Sequence, residues 1–407
     1  MKKSVLREYA KLIVHSGLNV QKGQEVLIYA GLDQPEFVKM VVEEAYKRKA
    51  GKVTVEWNYQ PLDKIHVRYQ NLKTLGGVEE WQKAQQEHYC NTVPCRLKLL
   101  SEDPDGLKGM NTAKLAKAKQ MQYPIMKPYR DRRDNMEQWC IAAVPGAAWA
   151  KKMFPDLPKG KAIEKLWDVI LQTSRVYGDA LENWKEHNAV MKANADHMNS
   201  LNIRSLHITA ANGTDLTVGM IPEGEWRAAG DTSLKGIFFN PNIPTEEVFI
   251  SPMKGQAEGI VYSSKPLSYQ GQLIDNFWIR FENGKAVDSG AELGAEQLKT
   301  MLEMDEGSSM LGEVALVPQA SPISESGLLF YNTLFDENAA CHLAVGTGFP
   351  DTIKDFEHKT LEECRALGIN ESMIHVDFMI GTPDLEIIAH CRDGKSVQIF
   401  KNGTWAF

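Results

Sequence analysis

The apolar positions of the first sixty residues follow two periods in turn. Residues 25–30 contain the run Val26-Leu27-Ile28 after a turn at Gly23, which predicts a buried strand. Between 35 and 50, Phe37, Val38, Val41, Val42 and Ala45 recur at three- and four-residue spacing. That spacing predicts an amphipathic helix, and Gly51 can end it. Residues 52–57 alternate again as a strand. Strand, helix and strand with short links predict a right-handed βαβ unit in a mainly parallel sheet. Helical spacing returns at 162–176 and 181–198. After residue 200 the pattern shortens. Segments 206–209, 214–218, 246–250 and 277–281 read as strands divided by Gly, Asn and Pro turns, which predicts antiparallel pairing.

The expected fold class is therefore α/β, with a division near Asn199-Ser200-Leu201-Asn202. Residues 1–200 form an N-terminal α/β domain with a mainly parallel sheet. Residues 201–407 form a mixed α+β domain whose antiparallel sheet carries the candidate chemistry.

Composition narrows the function classes. The 407 residues are 43% hydrophobic and 24% charged, ordinary for a chain with a large core. The formal charge of −7 argues against a nucleic-acid surface, which needs a basic patch. The loop Gly31-Leu32-Asp33-Gln34 after the first strand lacks the glycine pattern of a dinucleotide site. The six cysteines show no two-residue spacing and suit free thiols in a reducing, cytoplasmic compartment. Arg7, Glu8 and Lys11 interrupt any N-terminal signal, and no apolar run is long enough for a membrane span.

Several polar groups sit in apolar company. In the strand-like stretch 375–380, His375 and Asp377 share one face, with Val376, Phe378 and Ile380 on the other. Glu313 interrupts the apolar run 311–317. A buried carboxylate there needs either a metal or a basic partner. Glu247 shares a face with Phe249 if 246–250 is a strand. Glu337 and His342 are five residues apart, about 140° around a regular helix, so they converge only in a loop or at a helix start, where Asp336 or Asn338 can cap. Together Glu247, Glu313, Glu337, His342, His375 and Asp377 exceed the four ligands of a single zinc. Two ions sharing a carboxylate would use all six, and sulfur-free ligation suits zinc, cobalt or manganese. Neither a His-Glu-x-x-His nor a Gly-x-Ser-x-Gly motif is present.

These blocks carry a resemblance. Asn242-Ile243-Pro244-Thr245-Glu246-Glu247-Val248-Phe249, Leu311-Gly312-Glu313-Val314-Ala315-Leu316-Val317-Pro318, the stretch from Tyr331 through Cys341-His342, and His375-Val376-Asp377-Phe378-Met379-Ile380-Gly381 resemble the M29 metalloaminopeptidases, the aminopeptidase T and S group. The resemblance implies a two-metal exopeptidase that releases N-terminal amino acids from peptides through a metal-activated water. It implies metal ligands at Glu247, Glu313, Glu337, His342, His375 and Asp377; Glu313, alone in its apolar run, is the expected bridging carboxylate, with Glu247 or Glu313 as base. It also implies a homodimer. Where the family commonly has a tyrosine, seven residues after His342, this chain has Phe349. Another dinuclear amide hydrolase, such as a deacylase, and a catalytically weak peptide- or metal-binding relative are the alternative readings.

Overall fold

The computed structural model describes all 407 residues. They form two compact units, residues 1–188 with 229–245, and residues 189–228 with 246–407. The change of character expected near residue 200 falls at 188/189, inside the helix Ala180–Ser200. Residues 229–245 then return to the first unit, where Asn242–Ile243 adds an edge strand beside Trp139–Ala143. A two-residue strand has no periodicity, so nothing in the pattern marks that return.

The first unit holds a five-stranded parallel sheet in the order Lys52–Asn58, Glu25–Gly31, Cys95–Leu100, Trp139–Ala143, Asn242–Ile243. The expected strand, helix and strand appear as Glu25–Gly31, Pro35–Lys47 and Lys52–Asn58. One sheet face is fully covered. Val26, Ile28, Leu97 and Ala142 are buried there, and Tyr9, Phe37 and Trp167 form an aromatic cluster with Phe37 5.4 Å from Tyr9 and 5.3 Å from Trp167. The buried Tyr9 hydroxyl donates to the Ala143 carbonyl and accepts from the Ala143 amide, so its polar tip is satisfied.

The second unit holds two antiparallel sheets. The larger has nine strands and joins Ile203–Thr209 to both Asp215–Met220 and Glu386–Cys391. The smaller has four strands, in the order Val248–Ile250, Leu311–Leu316, His342–Gly346, His375–Met379. Every residue of Leu311–Leu316 and of His342–Gly346 is buried. The predicted strand at 246–250 starts only at Val248, because the Glu246 amide donates to the Asn338 side chain instead of a sheet partner.

Candidate metal centre

In an antiparallel sheet, residues directly opposite each other point to the same side. Glu313 lies opposite Ala344, and Ala344 opposite Asp377. The adjacent row is Phe249, Ala315, His342 and Met379. His375, two residues before Asp377, shares its side. One face of the four-stranded sheet thus collects Glu313, His342, His375 and Asp377, and Glu247 precedes that face by two residues from Phe249.

Glu313 reaches this face through a bulge. Leu311 pairs with Val345, whereas Glu313 pairs with Ala344, so Gly312 is the extra residue. Without it, Leu311 and Glu313 would share a side. With it, Leu311 joins the apolar side with Val345 and Val376, and Glu313 points the other way. Only glycine fits: an added Cβ would lie 2.4 Å from the Thr347 carbonyl oxygen and 2.5 Å from that of Gly346.

Glu337 arrives by a different route. Thr333–Asp336 is one helical turn, Glu337–Ala339 continues as a 3₁₀ turn, and His342 opens the next strand. This break in the helix overcomes the 140° separation. Asp336 closes the loop before it, accepting from the amides of Phe330 (2.8 Å) and Asn332 (3.0 Å). Asn338 fastens the turn. Its Nδ2 donates to the Leu334 carbonyl at 2.9 Å, and its Oδ1 accepts from the Glu246 amide at 2.6 Å.

Two sets of ligand atoms result, each within 4.8 Å of one another: Glu247, Glu313 and His342, and Glu313, His375 and Asp377. Glu313 belongs to both. His342 Nε2 lies 3.1 Å from Glu247 Oε2, and His375 Nε2 lies 3.1 Å from Glu313 Oε2 and from Asp377 Oδ1. The basic partner that a buried Glu313 requires is His375, not a lysine or arginine. Both imidazoles turn Nδ1 outward, His342 donating to the Ala340 carbonyl at 3.2 Å and His375 to the Thr347 carbonyl at 2.8 Å. Each carbonyl fixes the proton on Nδ1 and leaves Nε2 directed at the carboxylates.

The charges act strongly on one another. Burial pushes Glu313 up to about 7, partly offset by His375. Burial, then the charges of Asp377, Glu247 and Glu313, push Glu337 well above the usual carboxylate range. Burial would lower His342, but its bond to Glu247 and the surrounding carboxylates raise it to about 9. His375 is likewise raised well above its ordinary value, against its own burial, chiefly by Asp377. Asp377 is held below the usual range by His375 and His342, although burial acts the other way. In this arrangement protons on the imidazoles do the work of cations.

The donor set fits divalent cations. Four carboxylates face two imidazoles, and the buried Asp377 Oδ1 has only the His375 imidazole beside it. Five of the six residues singled out from the sequence meet in these two triads; Glu337 belongs to neither, although the charges of Asp377, Glu247 and Glu313 act on it. Phe349 packs on the site, its ring 4.8 Å from His375 and 5.6 Å from Phe249. Among the residues that position these groups, sequence reasoning named Asn338 only as a cap and missed the roles of Thr347, Gly312 and Asp305. Asp305 accepts from Ser372 Oγ at 2.7 Å and from the Met373 amide, which anchors the approach to His375. A glycine inside an apolar strand run was the one available signal, for the bulge.

Buried, sulfur-free ligand sets on a mixed α/β scaffold have the attributes of a metallohydrolase. The family model for thermophilic metalloproteases (M29) matches residues 2–405, and the chain belongs to that family. It is 40% identical over 404 residues to aminopeptidase AmpS of Bacillus subtilis, covering 99% of this chain and 98% of the relative. It is 36% identical over 402 residues to aminopeptidase T of Thermus aquaticus, covering 98% of each. The solved structure of wild-type AmpT from Thermus thermophilus matches with a TM-score of 0.89 at 33% identity over the whole of both chains. A 2,5-dihydroxypyridine dioxygenase of Pseudomonas putida, at 11% identity and TM-score 0.52 over 100% of this chain and 98% of that one, shares the fold alone.

Proposed function

We propose that this chain is a metal-dependent aminopeptidase that releases N-terminal amino acids from peptides with a free N-terminus. The observation that carries the reading is the membership of Glu313 in both ligand triads. Glu247, Glu313 and His342 would hold one cation, Glu313, His375 and Asp377 a second, and Glu337 would complete the set. Two bound divalent ions supply an acidified water and neutralise the charge that develops on the scissile carbonyl. Zinc, cobalt and manganese all suit the oxygen and imidazole donors.

The protein's own groups do the rest. The Thr347 and Ala340 carbonyls hold His375 and His342 in the tautomer that presents Nε2. Of the two candidate bases, Glu313 is committed to both triads and Glu247 to one, so Glu247 is the freer of the pair to accept the proton of the attacking water and pass it to the leaving amine. Phe349 packs against the His375 ring, but has no hydroxyl to donate to a developing oxyanion. Six unpaired cysteines suit a reducing cytoplasm, and the family resemblance suggests a homodimer, which sedimentation can test.

The test is hydrolysis of aminoacyl-arylamides before and after chelation, with zinc, cobalt or manganese restored. Loss on chelation and recovery on restoration are expected. Activity that survives complete metal removal refutes the reading. Preference for N-acylated over free-amine substrates would move it to a deacylase.

A further inference from the structure

The central strand of the parallel sheet, Cys95–Leu100, breaks the rule for its position. Strands inside parallel sheets are covered on both faces and read as continuous apolar runs. This one alternates Cys95-Arg96-Leu97-Lys98-Leu99, with both cations on one face. Arg96 pairs with the buried Glu137. Lys98 is exposed and makes no ion pair. Its row neighbours on that face are Tyr29 on one side and Ile141 on the other, and Trp139 stands opposite Arg96 in the next row.

Above this face lies a cavity of about 900 Å³, lined entirely by the first unit. It opens at the C-terminal ends of Glu25–Gly31 and Cys95–Leu100. Strand order reverses there: the chain leaves one strand toward Lys52–Asn58 and the other toward Trp139–Ala143. In doubly wound sheets, ligands sit at that reversal. The mouth is tightly built. Ser101 Oγ donates to Asp33 Oδ1 at 2.8 Å, and a Cβ on Gly146 would strike the Ser101 carbonyl at 1.9 Å. Glu102 lies beside them, accepting from the Ser101 amide. One end of the cavity therefore offers an unpaired ammonium, the other carboxylates, with aromatic and aliphatic walls between.

From Lys98 to Ser101 is three strand residues, about 10 Å. An extended peptide covers that length in two or three residues. We propose that this cavity is a second peptide site, taking a zwitterionic di- or tripeptide with its carboxylate on Lys98, its apolar side chains against Tyr29 and Trp139, and its ammonium at Asp33 and Glu102. The proposal stands on the first unit alone and does not depend on the metal centre being catalytic.

Calorimetry on the chelated full-length protein with the dipeptide Leu-Phe as probe tests it. The expected result is binding that persists in Asp377→Asn, weakens at least about tenfold in Lys98→Met and in Trp139→Ala, and weakens comparably for N-acetyl-Leu-Phe and for Leu-Phe amide on the unaltered protein. The last two arms need no variant to fold. Absence of binding, indifference to both capped peptides, or loss in Asp377→Asn with retention in Lys98→Met would overturn it. Hydrolysis of arylamides by the metal-loaded protein is scored separately, so failure here leaves the aminopeptidase reading standing, and the reverse.

Discussion

Two strands in the middle of two sheets each carry a charge among apolar neighbours, and they handle it in opposite ways. Glu313 in Leu311–Leu316 is 4% exposed, and its strand is buried along its whole length. Its charge is met inside the protein, by the imidazole of His375. Lys98 in Cys95–Leu100 is exposed and makes no ion pair, and it lines the cavity. A buried charge must find its partner during folding, because desolvation is too costly otherwise. An exposed one can wait for a ligand. The first kind makes a site that folding assembles, and the second makes a site that is left open.

Glu313→Gln should break the first site most completely. It removes the group common to both triads, and hydrolysis should fall by roughly three orders of magnitude, the scale of losing a group that stabilises developing charge. Metal content per chain should fall with it, and retention of two ions would contradict the shared role. Gly312→Ala comes next. The added Cβ meets two carbonyl oxygens, so the bulge must shift at a cost of about 1–3 kcal/mol. Thermal unfolding should show that loss, and metal content should drop although no ligand is altered. Asn338→Ala leaves the buried Glu246 amide without its acceptor, costing about 1–3 kcal/mol. Activity should fall about 10–100-fold, as when a group that orients metal ligands is lost. Phe349→Tyr should raise kcat, with about 2.7–4 kcal/mol as the ceiling for a donated hydroxyl. A fall in kcat would show that the ring alone is what the site uses. Lys98→Met should change least: arylamide hydrolysis within about twofold and stability within about 0.5 kcal/mol, as for a surface position. A large loss of hydrolysis there would erase the contrast between the two strands.

The sequence pattern carried much of this where a period was long enough to read. The βαβ start, the antiparallel second half and the polar groups Glu313, His375 and Asp377 stand out from alternation and from isolated polar residues in apolar runs, whereas Glu247 and Glu337 join them as ligands chiefly through the family resemblance. The pattern was silent where geometry departs from a period. Alternation alone puts Leu311 and Glu313 on one side, and only the bulge at Gly312 separates them. Glu337 and His342 converge because a helix stops after one turn, where Asn338 accepts from the amide of Glu246, 92 positions away. The alternation in residues 95–99 gains its meaning only from the strand order, which shows that this strand is central. The dioxygenase with the same fold is a reminder that the scaffold does not choose the chemistry, so the side chains on that sheet face must.

The return of residues 229–245 to the first unit has a consequence for how the protein is made. The chain passes between units at 188/189, 228/229 and 245/246. No single cut frees either unit, and a fragment ending at residue 200 would lack an edge strand. On the ribosome the N-terminal unit waits unfinished while about 57 further residues are added beyond residue 188, roughly 3–11 s at ordinary rates of synthesis. During that interval the strand Trp139–Ala143 presents an unpaired edge, the moment at which the nascent chain is most open to pairing with the wrong partner.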